Sequence, residues 1–207
     1  MIKEIWFDLN GTLTTQSPSF LAALEKIGYE AYAKATNRPI DDQLKTDYRA
    51  AYQEYGSKSA IFKALGMPKE FWATYFNSLD ESKYYEPDER VYKTVDAIRI
   101  QVPIGLLSNS SPDRIERTLR TVAIDPAWFT HILTGHDVTE PKPHPQGFEL
   151  MIARSQAKPR ELAFVGDREK VDIVPAKKLG LTTVMVWSQS PTADYSFKDF
   201  TQLLSLV

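Results

Sequence analysis

The sequence predicts an α/β fold: a doubly wound parallel sheet with a smaller α-helical domain inserted after the first strand. Three observations carry this. Short apolar runs recur, each closed by a polar or turn-forming residue. Helix-length segments separate the later runs, the alternation that builds a parallel sheet. An interval of roughly 70 residues behind the first run shows no strand pattern, far too long for one crossover.

The strand runs fall at residues 2–7, 103–107, 131–134, 162–165 and 182–187. They are continuously apolar rather than alternating, which predicts a sheet covered on both faces. Between them, "SPDRIERTLRTVA" places Ser111 at an N-cap and Pro112 at the first helical position. "HPQGFELMIARSQ" and "KVDIVPAKKLG" carry apolar residues at helical spacing, and the second closes on Gly180, a frequent residue just past a helix end. The inserted interval is rich in helix formers and aromatics, in "FLAALEKIGYEAYAKA", "QLKTDYRAAYQEYG", "SKSAIFKALG" and "KEFWATYFNSL". The expected division is a core of 1–13 with 86–207, and a helical domain of 14–85, joined through segments near 14–19 and 84–88. Tyr48, Tyr52 and Tyr55 share one helix face, which predicts a buried seam between helices rather than a substrate wall.

Composition excludes several classes. The 207 residues are 43% hydrophobic and 25% charged, ordinary for a globular protein. Acidic residues number 27 against 25 Lys and Arg, a net charge of -2, so no basic footprint for nucleic acid is expected. The chain has no cysteine, which excludes disulfides and thiolate zinc sites and suits a reducing cytoplasm. The first apolar run is too short for a signal peptide, and the longest others are strand-length, well under the roughly 20 residues of a membrane helix. His131, His136 and His144 lack the spacing of a metal site and are expected to be ordinary residues.

In an open parallel sheet, ligands sit beyond the carboxyl ends of the strands. Here those ends carry reactive residues: Asp8, Asn10, Gly11 and Thr12 after the first strand, then Ser108 and Asn109 after the second. Lys142 follows the third, and Asp167 follows the fourth with Asp172 five residues on. Singly, each is as readily a turn residue, a helix cap or a solvated charge. Together, three carboxylates converging on one crevice would repel, and one lysine does not compensate them. A hard divalent cation with oxygen ligands resolves the repulsion, and Mg²⁺ is the usual one where a phosphate completes the shell.

The set "DLNGTL", "LLSN", "PKP" and "GDREKVD", in this order along the whole chain, resembles the haloacid dehalogenase-like (HAD) hydrolases, most of them Mg²⁺-dependent phosphatases. The insertion just after the first motif resembles the subclass with a C1-type helical cap. The resemblance implies Asp8 as nucleophile forming an aspartyl-phosphate, and Lys142 holding nucleophile and phosphate together. It implies that Ser108 binds the phosphoryl group, with Thr12, Asn109 and Lys142 also in the substrate-binding set. It implies Mg²⁺ on Asp8, Asp167, Asp172 and the main-chain carbonyl of Asn10, and a small phosphorylated substrate. The departure is Asn10. The family's phosphatases carry an acid there, which protonates the leaving group and then deprotonates water; an amide does neither. Arg168 is a smaller departure, where a small hydroxyl residue is common. Two alternatives stay open: a 2-haloacid dehalogenase, with Arg38 or Arg49 pairing a substrate carboxylate, and a silent phosphate- or partner-binding protein.

Overall fold

The computed structural model describes residues 1–15, 17–80 and 83–207. Gln16, in the first of the expected connecting segments, lies outside the described residues, as do Glu81 and Ser82. The chain forms two compact units, one of residues 1–15 with 85–207 and the other of residues 16–84.

In the larger unit the described residues form a six-stranded parallel sheet. Its strands are β1 (Glu4–Phe7), β2 (Ile104–Leu107), β3 (His131–Leu133), β4 (Leu162–Gly166), β5 (Thr182–Val186) and β6 (Tyr195–Phe197), in the order β3-β2-β1-β4-β5-β6. β1, β2 and β4 are buried along their whole length, as their unbroken apolar character requires. Trp6 on β1 fits because Gly105 faces it across the ladder; a Cβ there would come within 2.4 Å of the indole. The indole Nε1 donates to Ser155 Oγ at 3.1 Å, and Trp6 packs in one cluster with Leu107, Leu133, Phe148, Met151, Leu162 and Phe164. The strand order reverses between β1 and β4, so the crevice expected of such sheets opens beyond Phe7 and Gly166.

Two details differ from the sequence reading, and a third follows it without the usual capping bond. β6 was not anticipated: it is three residues long, lies at the sheet edge, and Tyr195 is 45% exposed, so it shows no core pattern. Ser111 occupies the N-cap of the helix Pro112–Thr121, but its side chain makes no capping bond; Pro112 removes one of the donors that need capping. The segment "KVDIVPAKKLG" is not one regular helix. A π-helical turn, Glu169–Ile173, precedes a short α-helix, Val174–Lys178, and Gly180 then takes φ +80° as a residue just past a helix end does.

The smaller unit contains helices α1 (Pro18–Thr36), α2 (Asp42–Tyr55), α3 (Lys58–Ala64) and α4 (Phe71–Asn77). Ser17 and Asp41 cap α1 and α2 by accepting from Phe20 N–H at 3.1 Å and Leu44 N–H at 2.7 Å. The tyrosine stripe of α2 is only partly a seam. Tyr48 is buried and meets Tyr29 and Tyr32 edge-on with ring centroids 5.4 and 5.6 Å away. Tyr55 is 44% exposed, and Tyr52 carries the Lys58 ammonium 4.4 Å over its ring. Shared helical phase puts the three on one face, but burial falls from Tyr48 through the half-buried Tyr52 to the exposed Tyr55. On α3 and α4, Phe62 stacks on Trp72 at 5.7 Å, a core contact. No helix among the described residues is long and apolar enough to cross a membrane.

Candidate active site

The site is built from the ends of β1, β2 and β4 and the loop after β3. Asp8 follows β1 directly; its N–H donates to the Val165 carbonyl at 2.9 Å, which ties it to the neighbouring strand. Gly11 then turns the chain at φ +88°, in a position where a Cβ would lie 2.3 Å from Asp167 Oδ2. Only glycine permits both the turn and the close approach. Thr12 is fully buried; its hydroxyl donates to Asp167 Oδ1 at 3.3 Å and its carbonyl accepts from Trp187 Nε1 at 3.1 Å.

Lys142 is at the centre. Its side chain is 1% exposed, and its Nζ donates to Asp8 Oδ1 and to Asp172 Oδ1, each at 2.7 Å. Asp172 is held on both oxygens: Oδ2 accepts from the Arg168 N–H at 3.2 Å, with Arg168 Nε 3.7 Å away. Asp8 is held on one oxygen only. Its Oδ2 is buried and makes no hydrogen bond among the described residues. One carboxylate oxygen from each of Asp8, Asp167 and Asp172 lies within 4.8 Å of the others.

Burial dominates the electrostatics. It pushes the Asp8 carboxyl above its usual range, against the opposing pull of Lys142, and the Asp172 charge adds to the rise. It pushes Asp167 up to about 7, with the charges of Asp8 and Asp172 adding to the effect. For Lys142, burial favours the neutral amine, but Asp172 and Asp8 outweigh it and hold the group above its ordinary value, as an ammonium. An unpartnered buried carboxylate oxygen, a neighbouring acid inclined to keep its proton, and an all-oxygen donor set are the features that a hard divalent cation would relieve.

The other expected residues lie at the same strand ends, with different partners. Ser108 is buried, and its Oγ accepts from the Ser110 N–H at 3.2 Å. The Asn109 amide holds the main chain of Lys142 at two points, donating to its carbonyl and accepting from its N–H, both at 2.9 Å. Asn10 donates from Nδ2 to Ser110 Oγ at 3.1 Å and accepts from the Tyr85 hydroxyl at 3.4 Å. Tyr85 and Ser110 escaped the sequence reading: 75 and 100 residues separate them from Asn10, and neither stands in a motif. Arg168, a minor departure by sequence, brings a second cation to the acidic cluster. Of the histidines, His131 stacks on Trp6 at 6.1 Å, an ordinary packing role. Arg38 and Arg49 belong to the smaller unit, where they pair with Asp47 at 2.6 Å and Glu25 at 2.8 Å.

Comparison with known proteins agrees with this architecture. A phosphoglycolate phosphatase of Shigella boydii is 27% identical, over 88% of this chain and 80% of its own length. A pyrophosphatase, PpaX, of Oceanobacillus iheyensis is 26% identical over 100% of this chain and 97% of its own. The crystal structure of a HAD phosphatase from Thermococcus onnurineus superposes with a TM-score of 0.72 at 19% identity, over 99% of this chain and 97% of that one, and so shares the fold. The sequence model of the haloacid dehalogenase-like hydrolases matches residues 5–186, and with the sheet order and strand-end residues described above, the chain belongs to that family.

Proposed function

We propose that the protein is a Mg²⁺-dependent phosphatase of small phosphorylated metabolites, acting through an aspartyl-phosphate on Asp8 and slowed by Asn10. The relatives named for phosphatase activity support the class, since both match over most of their own length. The single observation that carries the reading is Asp8 itself: a buried carboxylate braced by Lys142 on one oxygen and unpartnered on the other, with Asp167 and Asp172 beside it.

In this reading Asp8, Asp167 and the carbonyl of Asn10 would hold Mg²⁺, with Asp172 supporting. When bound, the ion supplies positive charge against the phosphoryl oxygens. Lys142 holds Asp8 in place and pulls its carboxyl toward the ionised form against burial, and it adds a cation beside the phosphate. An Asp8 oxygen attacks phosphorus, the new O–P bond forms, and the bond to the leaving oxygen breaks with its electron pair. The Ser108 hydroxyl donates to a phosphoryl oxygen. Water then attacks phosphorus: its O–P bond forms, the Asp8 O–P bond breaks and returns its electron pair to the carboxylate, and the proton of the water stays on the released phosphate or passes to solvent. Asn10 has no proton to give in the first step and cannot take one in the second. General acid–base help is typically worth 10²–10⁴-fold, so the second step should limit turnover.

The test is a transient-state assay with p-nitrophenyl phosphate and Mg²⁺. A stoichiometric burst followed by slow turnover is expected, with one added phosphoryl mass on the intact protein. Asn10→Asp should raise the steady-state rate by about 10² or more, and Asp8→Asn should remove burst and turnover together. If Asn10→Asp leaves the rate unchanged across a broad panel of phosphate esters, the assignment fails. The dehalogenase reading loses ground because Arg38 and Arg49 are both paired with acids of their own unit.

A further inference from the structure

Asn10 is pinned at both ends. Beyond its bonds to Ser110 Oγ and the Tyr85 hydroxyl, the array is itself fixed: the Ser110 carbonyl accepts from Gly135 N–H at 2.9 Å, and its N–H donates to Ser108 Oγ at 3.2 Å. Tyr85 is 4% exposed. The amide is therefore oriented by a chain of hydrogen bonds that reaches Ser108, and it is a built feature of the crevice. An amide nitrogen carries two N–H donors, and Ser110 takes one. What remains to offer a departing oxygen is a neutral hydrogen bond, without a proton to transfer.

That difference discriminates between leaving groups. The oxygen of an acid anhydride, an acyl phosphate or an aryl phosphate departs as a weak base and is stable in water as an anion. An alkoxide is not, and its departure needs a proton. We propose that the Ser110–Asn10–Tyr85 array is a leaving-group filter, selecting anhydrides, acyl phosphates and aryl phosphates over alkyl phosphomonoesters. In the selected step the Asp8 O–P bond forms, the P–O bond breaks, the electron pair leaves with the oxygen, and no proton moves. This narrows the substrate class of the proposed phosphoryl transfer and rests on that reading.

The experiment measures kcat/KM, which excludes hydrolysis of the intermediate, for acetyl phosphate, diphosphate, p-nitrophenyl phosphate, phenyl phosphate and glycerol 3-phosphate. It is run on the full chain with Mg²⁺ for the wild type, Asn10→Asp and Tyr85→Phe. The wild type should disfavour glycerol 3-phosphate relative to p-nitrophenyl phosphate by a further 10²–10⁴-fold beyond the ratio of Asn10→Asp. Asn10→Asp should raise the alkyl ester by that factor while changing acetyl phosphate less than about tenfold. Tyr85→Phe should lower all substrates by a common factor. Equal ratios in the wild type and Asn10→Asp would overturn the filter. So would a selective loss of the alkyl ester in Tyr85→Phe, because Tyr85 would then be the proton donor. Broad activity in Asn10→Asp beside an undiscriminating wild type sinks the filter alone; no phosphate-ester turnover in either protein sinks the phosphatase reading with it.

Discussion

The raised carboxyl of Asp167 makes the stability of the metal-free protein depend on pH in an unusual direction. Its pKa rises from 3.8 to about 7, first by burial and then by the charges of Asp8 and Asp172. The folded state therefore binds a proton that the unfolded state releases, from about pH 4 to about pH 7. The stability this group contributes is greatest below that window and falls as pH rises through it. At 1.36 kcal/mol per tenfold in proton affinity, and with the folded-state proton half lost at pH 7, the loss between pH 5 and 7 is about 2 kcal/mol. That corresponds to about 4–8 °C in the melting temperature of a chain this long. Acids with lowered pKa, such as Asp47, Asp88 and Glu161, act in the opposite sense, but at lower pH, where their own titration lies. The assay is a set of thermal melts in EDTA at pH 5, 6 and 7, repeated with millimolar Mg²⁺ and on Asp167→Asn. In EDTA the wild type should melt progressively lower as pH rises. Mg²⁺ should reverse most of the fall by binding the ionised cluster of the folded state, and Asp167→Asn should flatten the profile. A flat wild-type profile in EDTA would refute the reasoning, as would a pH slope that Mg²⁺ and Asp167→Asn both leave untouched.

Lys142→Met should leave Asp8 and Asp172 without their shared cation, and removing one partner of a buried pair costs about 3–5 kcal/mol. Urea unfolding in EDTA measures this, and an unchanged midpoint would show that the two 2.7 Å ion pairs contribute nothing. Asn109→Ala should remove both hydrogen bonds to the Lys142 main chain, a loss of about 2 kcal/mol at about 1 kcal/mol each. Asn109→Asp keeps the acceptor for the Lys142 N–H and should recover part of that loss; equal midpoints for the two variants would place Asn109 outside the support of Lys142.

The strands were legible because a buried parallel strand must be apolar on both faces, and Ile5, Trp6 and Phe7 or Ala163, Phe164 and Val165 are. Asp8, Ser108 and Asp167 were legible because each follows such a run directly. β6 was not, since an edge strand needs no apolar face and Tyr195 and Phe197 are separated only by Ser196. What sequence spacing could not supply is the partner of each side chain. Asn109 stands next to Ser108 and reads as a second substrate contact, yet its amide pairs with a main chain 33 residues away. Tyr85 reads as the end of the helical insertion, and only the folded chain brings its hydroxyl to Asn10.

The cations of the site show how such pairings alter an argument built on charge alone. Counted along the sequence, three carboxylates face one lysine and the surplus is shared among them. In the fold it is not shared. Asp172 has Lys142 on one oxygen and the Arg168 N–H and guanidinium on the other, so its charge is answered from both sides. Among the described residues Asp167 accepts from the Thr12 hydroxyl, and Asp8 has Lys142 on Oδ1 and no hydrogen bond on Oδ2. The uncompensated charge therefore lies between Asp8 and Asp167, where the carboxyls respond to burial by holding their protons more tightly. A divalent cation is drawn to the place where negative charge is least answered. That place adjoins the unpartnered oxygen of the proposed nucleophile, while Asp172 anchors the two cations that the protein itself supplies.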